Sequence, residues 1–136
     1  MIARDALCLV IAAPSGAGKT SLTRALLEQE LAIDAQRTGI FGHSMGGHGA
    51  LVLALRNPDL FRSVSAFAPI SSPVNCAWGR KAFTAYLGAD TSSWRAHDAC
   101  ELLRDGLAHG YYDDILVDQG LADQFLEEFG PPGRRR

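Results

Sequence analysis

Short apolar runs alternate along the chain with segments whose apolar residues recur every three or four positions. Residues 7–12 form a continuous apolar run, which predicts a buried parallel strand. In residues 19–31 the leucines have helical spacing, which predicts a helix. Repeated alternation of strand and helix is typical of α/β proteins. The pattern therefore predicts a three-layer α/β/α fold with a short, mainly parallel sheet.

The same periodicity predicts the remaining elements of a single domain over residues 1–136. The helix at 45–56 should end before Asn57-Pro58, because the residue that precedes a proline disfavours helical backbone. A tail at 130–136, which ends in three arginines, is expected to be disordered. Further strands are predicted at 39–41, 64–68 and 114–117, and further helices at 81–86, 94–104 and 122–129.

Composition narrows the classes of function. A net charge of −2 over 136 residues gives no reason to expect nucleic acid or an anionic membrane as a partner. Three widely spaced cysteines argue against a disulfide framework or a metal site and favour a reduced, cytoplasmic setting. Arg4 and the apolar stretch 6–13 faintly resemble a signal peptide, although Asp5 speaks against that alternative.

The loop after the first predicted strand carries a phosphate-binding pattern. In residues 13–20, Gly16 and Gly18 allow backbone N–H groups to turn toward phosphate oxygens at a helix N-terminus. Lys19 supplies a positive charge, and Thr20 supplies a hydroxyl for the Mg²⁺ that accompanies a nucleotide. The plainer alternative is a glycine-rich turn that joins a strand to a helix.

Residues 11–22 around this loop resemble the beginning of bacterial guanylate kinases, a family that tolerates alanine at the position of Ala13. The resemblance covers about residues 7–30, and nothing after it resembles that family's GMP-binding segment or lid. It implies binding of nucleotide phosphates, with Mg²⁺ as a cofactor only if the loop is functional.

A second motif lies between a predicted strand and a predicted helix. Gly42-His43-Ser44-Met45-Gly46 matches the G-x-S-x-G pattern of a nucleophile elbow. A sharp turn there would push the Ser44 hydroxyl out from the sheet, and the Met45 N–H could donate to a developing oxyanion. The plainer alternative is an ordinary loop at the start of a helix.

The sequence around the elbow resembles the S-formylglutathione hydrolase (esterase D) family over about residues 33–129. The resemblance implies a partial α/β-hydrolase core that acts on a glutathione thioester and on small esters, without a cofactor. The matching segments are residues 39–50, 56–58, 67–70, 73–76, 78–79, 81–88 and 118–126.

The resemblance also assigns Asp123 as the acid of a catalytic triad. Asp118 lies nearer the strand end, where it is expected to cap the loop or the next helix. The triad histidine should follow the acid in this fold, yet residues 124–136 contain none. The other histidines do not match the family's base, so an incomplete triad with little or no activity is expected; they are His43, His48, His97 and His109.

The two resemblances meet near residues 30–33. We therefore expect a chimera in which a phosphate-loop unit, residues 1–32, precedes the partial hydrolase, and strand 7–12 is predicted to join the same sheet. A non-catalytic chimera is the remaining alternative. Three aromatic residues of the region between the strands, Trp78, Phe83 and Tyr86, are predicted to be core residues, with an acyl pocket as the alternative.

Overall fold

The computed structural model describes residues 37–106 and 115–126. The chain divides between Ala32 and Ile33 into two units, and all described residues belong to the second. Several sequence predictions lie outside the described residues and stay predictions: the strand at 7–12 and its place in the sheet, the loop at 13–20, the helix at 19–31, the role of His109 and the tail at 130–136.

Three parallel strands form the sheet of the described region: β1 (Gly39–His43), β2 (Ser63–Phe67) and β3 (Ile115–Asp118), in the order β1-β2-β3. The predicted strands are confirmed, with boundaries that differ by one or two residues. Because the strands are parallel, their carboxyl ends meet at one edge, where His43, Phe67 and Asp118 lie side by side in register.

Helix α1 (Met45–Arg56) follows β1 after a single residue, with the bounds that the sequence predicted. It ends where Asn57 closes the last turn: the side-chain amide of Asn57 donates to the Leu53 carbonyl at 2.8 Å, and its backbone N–H donates to Ala54. The apolar side of α1 packs on β1 and β2 and covers one face of the sheet. The core there consists of Ala50, Leu51, Ala54 and Leu55 of the helix and Val64 and Ala66 of the sheet.

The described part of the segment between β2 and β3, residues 68–106, contains two α-helices and two short 3₁₀ helices. The predicted helix at 81–86 is part of a longer helix, α2 (Ala77–Leu87), which begins earlier because the Cys76 side chain accepts a hydrogen bond from the Gly79 N–H. The 3₁₀ helices span Pro73–Asn75 and Thr91–His97.

Two helix predictions are wrong in part. The expected helix at 94–104 is interrupted, because Asp98 has extended backbone and caps a new helix, α3 (Ala99–Arg104), through the Glu101 N–H. The expected helix start at residue 122 is not observed, since residues 121–125 form turns. Residues 127–129 of that prediction lie outside the described region.

Candidate active site

Ser44 occupies the sharp turn between β1 and α1. Its backbone has φ 54° and ψ −119°, a conformation that costs a residue with a side chain on the order of 1–3 kcal/mol. Its N–H donates to the Phe67 carbonyl at 2.9 Å, and its carbonyl accepts from the His48 N–H at 3.0 Å. The side chain makes no capping bond and is exposed, so the hydroxyl projects into solvent at the carboxyl edge of the sheet.

The glycines of the elbow have different structural roles. A Cβ atom on Gly42 would lie 2.2 Å from the Gly46 carbonyl oxygen, so only glycine allows the strand end to approach the helix start this closely. A Cβ atom on Gly47 would be 3.1 Å from Pro69 Cβ, whereas one on Gly46 would meet nothing within 4 Å. Close contacts therefore allow only glycine at Gly42, whereas the surroundings of Gly46 have room for a side chain.

Met45 is the first residue of α1, and its side chain is partly exposed. The first N–H groups of a helix have no partner within the helix, and the positive end of the helix dipole lies beside them. Met45 thus lies directly after Ser44, in the position that the predicted oxyanion donor requires.

Residues 119–126 follow β3 and form a loop that we call the acid loop, after the predicted triad acid Asp123. This loop holds Asp123 through its own contacts. Asp123 Oδ2 accepts a hydrogen bond from Gln119 Nε2 at 2.7 Å, and Oδ1 accepts from the Phe125 N–H at 2.8 Å. Asp118, which was expected to act as a cap, is exposed and contributes its backbone carbonyl to the Ala68 N–H at 2.7 Å.

Backbone hydrogen bonds connect the elbow to the acid loop across the edge of the sheet. Ser44 is bonded to the end of β2 at Phe67, and Ala68, the next residue, is bonded to the end of β3 at Asp118. Ala68 also has positive φ, 44°, which the sequence did not indicate because alanine gives no signal for this conformation. The elbow and the Asp123 loop thus share the edge at which open parallel sheets bind ligands.

Two histidines of the described region, His48 and His97, contact groups other than Ser44. His48 Nδ1 donates to the Ile70 carbonyl at 3.0 Å, and its ring packs near Phe83. Burial lowers the pKa of His48, an effect that the Asp98 carboxylate only partly offsets. Burial also lowers the pKa of His97, as does Arg56, whose Nη1 lies 3.5 Å from His97 Nδ1. His43 ends β1 and is exposed.

A buried carboxylate supports the loop beneath the elbow. Asp98 is fully buried, and its Oδ2 accepts from Ser72 Oγ at 3.0 Å and from the Val74 N–H at 3.1 Å. These bonds fix the segment that carries Ile70, the partner of His48. Asp98 gives no signal of this role in the sequence, because an aspartate within a helical pattern is usually a surface residue.

The three aromatic residues predicted to be core residues divide into two groups. Phe83 is buried and meets the Trp94 ring edge-on at a centroid distance of 5.8 Å, as a core residue does. For Trp78 and Tyr86 the core prediction is wrong, since they are 42% and 63% exposed. Helical spacing could not separate the groups, because α2 has only Phe83 and Gly79 on its buried side.

Within residues 37–106 and 115–126, no group of three or more His, Cys, Asp or Glu side chains is arranged to hold a metal ion. None of their helices is long and apolar enough to span a membrane.

Comparison with known proteins places this site in a family. The sequence profile of the family described as "Putative esterase" matches residues 22–134. The chain is 56% identical to the S-formylglutathione hydrolase of Mus musculus over 101 residues, which are 74% of this chain and 35% of that protein. It is 52% identical to that of Paracoccus denitrificans over 99 residues, 73% of this chain and 34% of the relative. The chain thus spans about a third of the length of these relatives.

Solved structures agree on the fold. An S-formylglutathione hydrolase from Agrobacterium tumefaciens matches with a TM-score of 0.70 and 48% identity, over 85% of this chain and 40% of that one. S-formylglutathione hydrolase from Staphylococcus aureus matches with a TM-score of 0.56 and 21% identity, over 80% of this chain and 45% of that one, and supports the fold alone.

The predicted fold class, a partial α/β-hydrolase core, is confirmed by these structures. The profile match begins at residue 22, within the helix predicted at 19–31, and the guanylate kinase resemblance and the chimera stay predictions. The chain, with Ser44 in a strained elbow at the carboxyl edge of its sheet, therefore belongs to the esterase family.

Proposed function

We propose that this chain carries the nucleophile and acid of a serine hydrolase site for small carboxylic esters and thioesters, including glutathione thioesters. The observation that carries the proposal is the backbone of Ser44, held with positive φ between a strand and a helix while its hydroxyl is exposed. Strain of this kind persists only where the surrounding structure enforces it, and it is concentrated at functional sites.

The chemistry follows from the positions of three groups. Ser44 Oγ would attack the carbonyl carbon of the substrate, forming a C–O bond while its proton passes to a base. The Met45 N–H would donate to the resulting oxyanion. Asp123 would orient a histidine that takes the proton and returns it to the leaving thiol or alcohol as the C–S or C–O bond of the substrate breaks. Water would then attack the acyl group on Ser44, which releases the carboxylic acid and restores the serine hydroxyl.

The 136-residue chain tested by itself should be a poor catalyst. A serine hydroxyl without an adjacent base is a weak nucleophile at neutral pH. In serine hydrolases the loss of the histidine costs on the order of 10⁶ in turnover. A missing oxyanion donor costs about 10²–10³. We therefore expect hydrolysis of p-nitrophenyl acetate near the background rate, and Ser44→Ala should change that rate little.

Acylation of the serine tests the proposal more directly than turnover does. The chain would be incubated with p-nitrophenyl acetate and imidazole, which serves as a diffusible base, and acetylated positions would be located by peptide mass spectrometry. Ser92 and Ser93 are matched controls, because they are exposed serines outside the elbow. Ser44 should acetylate at least about tenfold faster than either, since a nearby N–H donor stabilises its oxyanion.

Two results would contradict the proposal. If Ser44 acetylates no faster than the control serines, the elbow does not activate its hydroxyl. If the chain instead turns over many equivalents of ester and Ser44→Ala abolishes this, a histidine of the chain acts as base and the incomplete triad is wrong. His97→Ala and His109→Ala would then identify it.

A second candidate function rests on the sequence of residues 13–20 alone. Gly16, Gly18, Lys19 and Thr20 match a phosphate loop. We propose that such a loop would weakly bind nucleotide phosphates together with Mg²⁺. The dissociation constant would be about 1 mM or more, which corresponds to a small binding free energy. Titration with Mg·ATP should shift the backbone amide signals of Gly16, Gly18 and Lys19 in NMR spectra. Unchanged signals at several times that concentration would remove this function.

A further inference from the structure

Gln119 lies at the joint between β3 and the acid loop. The residue before it, Asp118, ends the strand, and its carbonyl accepts the Ala68 N–H at 2.7 Å, which fixes the backbone to the edge of the sheet. The Gln119 side chain reaches along the loop and donates from Nε2 to Asp123 Oδ2 at 2.7 Å. This amide therefore connects the Asp123 carboxylate to the edge that also holds the elbow.

The Asp123 carboxylate has a second donor of a different kind. Its Oδ1 accepts from the Phe125 N–H at 2.8 Å, a local bond between residues two positions apart. The torsion that rotates a carboxylate is broad, so one local bond leaves the plane of the group loosely defined. The bond from Gln119 to the other oxygen fixes this plane, while each oxygen keeps a lone pair for a further donor.

The other end of the Gln119 amide does not favour stability. Its Oε1 is buried and has no hydrogen-bond partner in the described region. The desolvation of such an oxygen opposes the gain from the bond to Asp123, so an apolar side chain of similar size should be tolerated as well. Rotation of the amide by 180° gives no relief, because Oε1 would then face the carboxylate. The bond is thus better explained by the orientation of Asp123 than by stability.

We propose that Gln119 is a positioning residue of the hydrolase site, an inference that rests on the proposed function. Its amide holds the plane of the Asp123 carboxylate so that a free lone pair accepts the N–H of an imidazole base. The other nitrogen of that imidazole takes the proton of Ser44. Gln119 has no chemical part in this transfer and should act only through Asp123.

The test measures acetylation of Ser44 in the whole chain with p-nitrophenyl acetate and a diffusible base. Ser44 Oγ attacks the acetyl carbon, its proton passes to the base, and p-nitrophenolate leaves with the electrons of the broken C–O bond. The rate is divided by that of the exposed Ser92 in the same sample, which removes acetylation that any serine would undergo.

Two bases of similar strength separate positioning from a structural role. Imidazole has an N–H for the Asp123 carboxylate in addition to the nitrogen that takes the proton, whereas 1-methylimidazole has a methyl group in place of that N–H. Gln119→Leu should lower the imidazole-promoted rate at Ser44 at least about fivefold, because a misoriented base reacts slowly. With 1-methylimidazole the variant should react like the parent chain, since that base makes no bond to Asp123.

Further variants show whether Gln119 acts through Asp123. In an Asp123→Ala background, Gln119→Leu should cause no further loss of the imidazole-promoted rate. Gln119→Glu has the same shape as the parent side chain but cannot donate when it is ionised, so it should react like Gln119→Leu. Gln124→Leu is the matched control at an exposed position of the same loop, and it should change neither rate. Circular dichroism would verify that the variants are folded.

Each outcome supports or overturns the positioning role. A loss with both bases, or a further loss in the Asp123→Ala background, would mean that Gln119 only supports the fold. An imidazole-promoted rate that Gln119→Leu or Asp123→Ala leaves unchanged would also overturn the proposal, but a parent Ser44 that reacts faster than Ser92 would keep the proposed function. If Ser44 of the parent chain reacts no faster than Ser92, the proposed function fails and the positioning role fails with it.

Discussion

The elbow and the acid loop lie at the same edge of the sheet but are held in different ways. Ser44 is fixed by neighbouring elements: its N–H is bonded to β2 and its carbonyl to α1, and Gly42 lies against the helix backbone. Asp123 is fixed by its own loop, through Gln119 and the Phe125 N–H. Ser44 thus depends on the packing of the domain, while Asp123 depends on a few adjacent residues.

This difference shows how a partial α/β-hydrolase core can hold Ser44 more firmly than Asp123. Within the described region, contacts with β2 and α1 hold the elbow. The acid loop supplies one hydrogen-bond donor to each oxygen of the Asp123 carboxylate, which leaves a lone pair on each oxygen for a further donor. Changes that destabilise one of these two regions and leave the other intact test this difference.

The largest expected effect is that of Gly42→Ala. The added Cβ would overlap the Gly46 backbone, so the turn must shift, and we expect the free energy of unfolding to fall by about 3 kcal/mol. Gly46→Ala is the matched control, because its Cβ meets nothing within 4 Å and alanine favours the helix. Urea unfolding of both variants measures the difference. Equal losses would mean that the elbow is not tightly packed.

Removal of the buried carboxylate beneath the elbow should have the next largest effect. Asp98→Ala leaves Ser72 Oγ and the N–H groups of Val74 and Glu101 without their acceptor, which should cost about 2–3 kcal/mol. Asp90→Ala removes a similar cap from an exposed position and should cost less. If thermal unfolding shows equal losses for the two variants, the loop beneath the elbow does not depend on Asp98.

Low pH should decrease the free energy of unfolding through His48, which lies in α1 directly after the elbow. Its folded pKa is lowered below the ordinary value of 6.5, chiefly by burial, so the unfolded chain binds a proton that the folded chain resists. The free energy of unfolding should therefore keep its highest value above pH 6.5 and decrease as the pH falls below 6.5. His97, whose pKa is also lowered, adds a contribution of the same sign.

Urea unfolding between pH 5 and 8 measures this dependence. His48→Gln should reduce the loss of stability at low pH, because it removes the buried imidazole. A stability that rises as the pH falls from 6.5 to 5 would contradict the account of His48.

Relief of the elbow strain should stabilise the chain modestly. Ser44→Gly places a residue without a Cβ at φ 54°, so the free energy of unfolding should rise by about 1 kcal/mol. Ser44→Ala keeps the Cβ and the strain, and it should change stability little. Thermal unfolding of the two variants side by side makes the comparison. Destabilisation by Ser44→Gly would show that the turn is not strained.

The smallest expected effect lies in the acid loop. Gln119→Leu removes the hydrogen bond to Asp123, but it also removes the buried Gln119 Oε1, which has no hydrogen-bond partner in the described region. These changes nearly cancel, and we expect a difference within about 0.5 kcal/mol. In NMR spectra, shifts should be confined to residues 119–126. Shifts that extend to Ser44 would show that the acid loop and the elbow are coupled.

The sequence by itself determined the order of the described strands and the position of the elbow at Ser44. Apolar periodicity set the bounds of α1 and located the strands, because short parallel strands and amphipathic helices have different periods. The glycines around Ser44 marked the turn, and the close backbone approach at Gly42 needs the first of them. The Asp123 assignment depended on a resemblance, because an aspartate in a loop has no periodicity to distinguish it.

Only the tertiary structure decided the features that depend on residues far apart in the chain. The bond from Ser72 to Asp98 crosses 26 positions, and it explains both the buried carboxylate and the helix break after His97. The left-handed Ala68 is set by its bond to Asp118 on another strand. The exposure of Phe41 and Leu116 depends on what packs against the sheet, which local patterns of apolar and polar residues do not encode.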